Sequence, residues 1–485
     1  MKRLVARVKP GMARSIRHNN PGFHPGYVLL TALLAGCAMG PDYQRPAIET
    51  PAQFRLDTTT AAAQSFGDLG WWDVYRDPVL ATLVASAVKN NLDVRIAVER
   101  VEQARASLGA TGYQLLPQIS VGGTTGKQRV SAYETTASDR TFNSSSVSAA
   151  LAWELDFWGR IRRTREAARA ELLSSQAARE TVLVTLVGSV ASQYFTLLAL
   201  DEQLQITRAT VDSRKSFLDL TQAQFDRGTV SGLDVNTAQA QLATAQANVP
   251  LLEKQIAQTE NGLSLLLGGN PNAIARSPRE VGLAPIAPDL PAGLPSTLLE
   301  RRPDLREAEQ SLVAANAQVG IAKAALFPTI SLSADYGSLS PKMSNLFTSA
   351  AENWSVGVNL LQPLLDADRN RYQVDYADAG RRAALLNYEK TVRTAFREVA
   401  DALVTRQKSA EYEAAQSALV TAQNNAHEIA LARYKVGYSS YFDVINADRD
   451  LFTAKLALSQ ARLDTLNASV QLYQALGGGW RSQTQ

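Results

Sequence analysis

Two stretches of the chain, Arg160–Arg227 and Arg369–Val436, hold a single helix breaker each, Gly188 and Gly380. In the first, Leu183, Val190, Leu197, Leu204, Val211, Leu218 and Phe225 recur at seven-residue spacing, with Val187 and Tyr194 at the alternate steps. A heptad sustained that far predicts one helix, about 100 Å long at about 1.5 Å per residue, packed as a left-handed coiled coil. The second stretch keeps the register at Val392, Val399, Val420 and Tyr434. Arg406, Glu413 and His427 break it, and His427 reads as a packed or solvated side chain. Outside the N-terminal leader, no apolar run is expected to approach 18 residues without a charge, and no transmembrane helix is expected.

Elsewhere the period is two. Val147, Ala149, Leu151, Trp153, Leu155 and Phe157 alternate with small or polar residues; so do Ile330, Leu332, Ala334 and Tyr336, and Trp354, Val356, Val358 and Leu360. A fourth, shorter and glycine-rich strand is expected near Gln118–Thr124. This alternation suits either a sheet with one wet face or a membrane barrel with an aqueous lumen.

Shifting the chain by 209 positions aligns Ala223–Gly269 with Ala432–Gly478 without a gap, and Gly228, Ser231, Asp234, Val235, Leu267, Gly268 and Gly269 each meet an identical residue. The chain is therefore one unit written twice, each copy reading helix, strand, strand, very long helix, helix. The expected divisions are a leader at 1–36, an N-terminal segment at 37–78, a first repeat at 79–269, a linker at 270–296, a second repeat at 297–478 and a tail at 479–485.

Composition sharpens this picture at the N-terminus. The 485 residues carry a formal charge of +3, but residues 1–36 contain six basic side chains and no acidic one, so removing them leaves −3. The compositional case for a nucleic-acid partner goes with them. The basic run leads into the apolar Tyr27–Gly36, too short to span a bilayer and suited to a signal peptide. It ends at Leu34-Ala35-Gly36-Cys37, which resembles a bacterial lipobox with Cys37 as the acylated residue. Ala38, by the same resemblance, favours outer-membrane sorting. Cys37 is the only cysteine, which excludes intrachain disulfides, CxxC zinc sites and iron–sulfur clusters. With one histidine, His427, after the leader, a multi-histidine metal site is excluded as well. No cofactor is expected beyond the covalent lipid on Cys37, and no catalytic residue.

Export and a lipid anchor favour the membrane reading of the strands. Four strands cannot close a barrel, and open edges are forbidden in lipid. The barrel must then be shared between chains, and three chains would supply twelve strands.

Motifs in order along the chain resemble the TolC/OprM-like outer-membrane efflux channels, in their lipoprotein branch. They are Cys37-Ala38-Met39-Gly40-Pro41-Asp42-Tyr43-Gln44-Arg45-Pro46, Trp71-Trp72-Asp73-Val74-Tyr75-Arg76-Asp77-Pro78, Leu299-Glu300-Arg301-Arg302-Pro303-Asp304-Leu305 and Ala475-Leu476-Gly477-Gly478-Gly479-Trp480. The resemblance implies an α+β membrane protein: a homotrimeric, twelve-stranded β-barrel in the outer membrane, four strands per chain, continued by a long periplasmic α-helical barrel. It implies a passive, non-enzymatic exit duct for drugs or other small toxic compounds. The implied partners are a periplasmic adaptor (membrane fusion) protein, an inner-membrane transporter of the resistance–nodulation–division (RND) type, and outer-membrane lipid.

The hairpins after the long helices carry Gly228, Ser231 and Asp234 in one copy and Gly437, Ser440 and Asp443 in the other. Glycine permits the left-handed turn that ends a helix, and Ser with Asp three residues on makes a capping-box start. The resemblance makes these the periplasmic tips, with Arg227, Gly228, Ser231, Asp234, Gly437, Ser440 and Tyr441 as adaptor-docking candidates. Asp443, Asp448, Arg449 and Asp450 are the gate candidates, because a carboxylate near a threefold axis appears three times. Two alternatives remain at this stage: a type I protein-secretion channel with the same fold, and a lipid-anchored periplasmic coiled-coil scaffold.

Overall fold

The two uninterrupted polar–apolar stretches are helices along almost their whole length. In the computed structural model, which describes residues 38–51, 54, 77–134, 139–277, 295–365 and 367–478, they form α3 (Arg160–Asp226) and α7 (Ala367–Lys435). At 67 and 69 residues each is about 100 Å long. Each turns back through a short hairpin into a 35-residue helix, α4 (Gly232–Leu266) and α8 (Tyr441–Ala475).

The helix that opens each repeat comes in two pieces, a break the sequence reading did not include. In the first repeat α1 (Pro78–Asn90) and α2 (Leu92–Tyr113) meet at Asn91. Its side-chain oxygen accepts from the backbone of Asp93 and Val94, and its amide donates to the Leu266 carbonyl. In the second, α5 (Pro295–Arg301) and α6 (Pro303–Ala324) meet at Arg302. Pro303 suits the first position of a new helix, where the missing N–H costs nothing. Arg302 is buried at this joint. Its guanidinium donates to both oxygens of Asp304, to Glu398 on α7 and to the carbonyl of Ala475 at the end of α8, so four segments converge on one side chain.

The four strands β1 (Gln118–Arg129), β2 (Thr141–Glu154), β3 (Thr329–Ser340) and β4 (Glu352–Leu361) form one antiparallel sheet in the order β1-β2-β3-β4. The two repeats are joined edge to edge at β2–β3. β1 runs five residues beyond the expected Thr124, because its glycines face an unbroken partner and Gln118–Arg129 pairs in register with Ala152–Thr141. β2 stops at Glu154, short of the alternation through Phe157. There Asp156 turns away to accept from the backbone N–H groups of Ile161 and Arg162 and starts α3.

The principal core lies on the middle of α3. Leu183, Val187, Val190, Tyr194 and Leu197 are buried against Leu80 and Val84 of α1, Val392 and Val399 of α7, and Leu466 and Val470 of α8. The heptad then thins toward the hairpin: Leu204, Val211 and Leu218 are half-buried and Phe225 is exposed. One expectation needs correction. Part of α3 is long and apolar enough to cross a membrane by length and composition, since Thr181–Leu200 holds no charge. Most of that window is buried inside the chain, so its hydrophobicity is spent on this core.

The segment after the leader is fastened to the sheet–helix junction. The Met39 N–H donates to the Trp158 carbonyl, and Arg163 donates to the carbonyls of Met39 and Gly40 and to Asp42. Asn316 holds the Pro41 carbonyl, while Tyr43 and Arg45 both reach Glu309 on α6. Gly40, at φ +94°, lies against Gly320 so closely that a Cβ on either would meet backbone. Cys37, the Trp71-Trp72 motif, residues 278–294 of the linker and the last seven residues lie outside the described residues.

Candidate functional site

The sheet sorts its side chains by register. Residues facing each other across antiparallel strands share a face, so Ile119, Val121, Val147, Ala149, Leu151, Trp153, Ile330, Leu332, Ala334, Tyr336, Trp354, Val356, Val358 and Leu360 form one surface. The opposite surface carries Ser120, Thr124, Ser146, Ser148, Ser331, Ser333, Asp335, Ser355 and Asn359. Val121, Trp354, Val356, Val358 and Leu360 are exposed in the single chain. The outer edges of β1 and β4 pair with nothing among the described residues. A sheet apolar on one face, hydroxyl-rich on the other and open at both edges can separate lipid from water only by joining further copies.

At the other end, both hairpins use the same local chemistry. Gly228 and Gly437 adopt φ +73° and +80°, and the following N–H groups return to Gln224 and Arg433 carbonyls. Ser231 and Ser440 cap α4 and α8, and Asp234 and Asp443 complete reciprocal capping boxes. Hydrogen bonds from the Ser439 and Ser440 hydroxyls, and from the Ser440 backbone, hold the Asp443 carboxyl below its ordinary pKa. Asp443 is thus committed to its own helix start. Arg227 is the last residue of α3's turn. Leu233 and Phe442, equivalent positions in the two repeats, are 74% and 70% exposed, and sequence reasoning did not single them out. Their signal is a large apolar residue just after each capping serine.

The remaining candidates separate. Tyr441 is only 8% exposed and sits between the hairpins, stacked on Phe217 of α3 at 5.0 Å with Tyr434 beside both. It is therefore no part of an outer docking surface on this chain. Asp448 accepts from the Nε of Arg214 at 2.8 Å. Arg214, 6% exposed, also donates to the Gln241 carbonyl on α4 and lies over the Phe452 ring. His427 Nε2 stands 4.0 Å from the other Asp448 oxygen. Arg449 and Asp450 pair with each other in solvent. Arg214 was missed in the sequence, although it lies three residues past Val211 on the buried stripe. A cation on that face calls for an acid partner.

The long pairs are further tied across the repeats. Arg462 of α8 donates to the buried Glu202 of α3, Ser459 donates to the Ala199 carbonyl, and the Tyr434 hydroxyl donates to Gln224. With Arg214–Asp448, these contacts fix the spacing of the two hairpins down to their ends.

Comparison with known proteins agrees with this geometry. The profile of the family described as outer membrane efflux protein matches residues 83–269 and 294–478. The chain is 36% identical over 458 residues to the probable efflux pump outer membrane protein TtgC of Pseudomonas putida, covering 93% of this chain and 94% of that one. It is 33% identical to the cation efflux system protein CusC of Escherichia coli, over 92% of this chain and 97% of that one. Among solved structures, the outer-membrane channel OprN superposes with a TM-score of 0.84 at 31% identity, covering 92% of this chain and 100% of that one. Sheet, hairpins and similarity together place the chain in the outer membrane efflux protein family.

Proposed function

We propose that three copies of this chain close a twelve-stranded barrel through their β1 and β4 edges, and that the trimer is the exit duct of a tripartite efflux pump. The duct stands in the outer membrane and reaches into the periplasm through helices of about 100 Å. It conducts drugs or other small toxic compounds passively; selection and energy belong to the inner-membrane partner. The observation that carries this reading is the two-faced, open-edged sheet fused directly to α3 and α7. A soluble scaffold has no use for an exposed apolar face of Trp354, Val356, Val358 and Leu360.

The partners in this reading are a periplasmic adaptor, which meets the hairpin ends around Leu233 and Phe442, and an RND-type inner-membrane transporter. Acylation of Cys37 anchors the chain to the outer membrane. The neighbouring residues support that anchor, because Ala38 and Met39 are held at the turn where the sheet becomes helix. The gate assigned to this duct comprises Asp448 with Arg214, and the exposed Arg449 and Asp450.

The test is reconstitution. Purified protein in planar bilayers is expected to give discrete ohmic currents with no energy source, from particles containing three chains. A water-soluble monomer after delipidation would contradict the proposal.

A further inference from the structure

One charged contact near the hairpins is half made. Asp448 gives one oxygen to Arg214 Nε at 2.8 Å, while its other oxygen stands 4.0 Å from His427 Nε2, beyond hydrogen-bond reach. A neutral imidazole at that distance adds little. A protonated one brings a positive charge to the oxygen that Arg214 leaves open. His427 is on α7, Asp448 on α8 and Arg214 on α3, so that second attraction ties three helices at one carboxylate.

These three residues are peculiar to one place in a doubled chain. At the 209-residue offset His427 corresponds to Leu218, Asp448 to Gln239 and Arg214 to Gln423. The other repeat therefore builds the same long-helix hairpin with no ionisable group at any of the three positions. His427 is also reachable by protons. It is 18% exposed and lines two cavities, of about 380 and 690 Å³, that share it and Asp448 as walls. Imidazole is the side chain whose charge changes between about pH 5 and 8.

The other ionisable groups lining these cavities come from three helices. α3 supplies Glu202 besides Arg214, α7 supplies Glu428 and Lys435, and α8 supplies Tyr441, Lys455 and Arg462 besides Asp448; α4 contributes only Ala238 and Gln241. Glu202 accepts from Arg462 and Glu428 from Asn424. Burial pushes the Tyr441 phenol up, so it stays neutral. Lys435 and Lys455 oppose a further positive charge, but Asp448 is the only acid within 4.0 Å of the imidazole among the described residues.

We propose that His427 is an acid-driven latch: when protonated it pairs with the open oxygen of Asp448 and ties α7 to the Arg214–Asp448 contact, holding the two hairpins together. The attraction is present at pH values where the imidazole is charged and is lost as the pH rises. The latch is built within one chain; its effect on leak rests on the duct and gate reading above, and in that reading acid favours the closed state.

Once the leader is removed His427 is the only histidine, so histidine-selective ¹⁵N labelling of the purified protein, made without a histidine tag, reports a single imidazole by NMR. Asp448→Asn should lower its titration midpoint by about half a pH unit or more, and Glu428→Gln clearly less. In planar bilayers, leak through the unaltered protein should fall about two- to fivefold from pH 7.5 to 5.5, the scale of one partly exposed ion pair. His427→Gln should flatten that dependence, and His427→Lys should hold leak low at both pH values. A midpoint that ignores Asp448→Asn, or a His427→Gln protein that keeps the full pH dependence, would overturn the latch. An imidazole that responds to Asp448→Asn in a protein carrying no current at any pH would support the latch and contradict the duct reading instead.

Discussion

Arg214 and Asp448, 234 residues apart in the chain, meet at 2.8 Å between α3 and α8. The contact joins the two repeats where the hydrophobic stripe is already thinning, and it does so inside the chain. A carboxylate so engaged acts through the arginine that holds it as much as through its own charge.

Replacing either partner leaves the other poorly matched, and losing one member of a buried pair costs about 3 kcal/mol or somewhat less where one side is wet. Arg214→Ala and Asp448→Ala are both expected to lower the melting temperature. Both should also raise ion leak in planar bilayers to a similar degree. Leak from Asp448→Ala alone would mean that the carboxylate acts as a bare ring charge, independent of Arg214.

Arg449 and Asp450 present the opposite case. Their ion pair is solvent-exposed and is worth about 0–1 kcal/mol. Asp450→Ala should leave the melting temperature unchanged and, as a gate residue, raise conductance. Unchanged conductance removes Asp450 from the gate.

The capping serines should matter locally. Ser440→Ala is expected to cost about 1 kcal/mol, as is Ser231→Ala in the other repeat. Because the folded Asp443 pKa is lowered, its contribution is present above the ordinary aspartate range and is lost only as the pH falls through the lowered value. Hydrogen exchange at the start of α8 should therefore be insensitive to pH between about 5 and 8, after correction for intrinsic rates. Loss of protection already near pH 6 would contradict the capping account.

At the N-terminal arm, Cys37→Ser should abolish labelling by palmitate, and a mutant that still takes label would defeat the lipobox reading. Gly320→Val places a side chain against the Met39 carbonyl and Arg163. It should release the arm at a cost of about 1–3 kcal/mol, seen as faster proteolysis between residues 38 and 46 with the helices intact.

Much of this architecture is written locally. The long helices need only an absence of breakers and a seven-residue stripe, and the hairpins need glycine, serine and aspartate at fixed offsets; both are readable within a few turns. The alternation of Trp354, Val356, Val358 and Leu360 likewise marks a two-faced strand. What escaped depends on partners distant in sequence. The joints at Asn91 and Arg302 are specified by Leu266, Glu398 and Ala475. Glycine-rich β1 is extended by β2 more than by its own propensity. Tyr441 looked like a tip residue because it opens α8, but Phe217, far upstream, draws it inside. The uncharged run Thr181–Leu200 could be recognised as core only once α1, α7 and α8 were packed around it.

The central claim is that this chain forms a passive conduit across the outer membrane, and single-channel recording tests it most directly. The full-length protein, inserted into a planar bilayer, should give discrete current steps that scale linearly with voltage and need no nucleotide or proton gradient. Inserted protein that carries no current, in Arg214→Ala and Asp448→Ala as well as in the unaltered chain, would contradict the account.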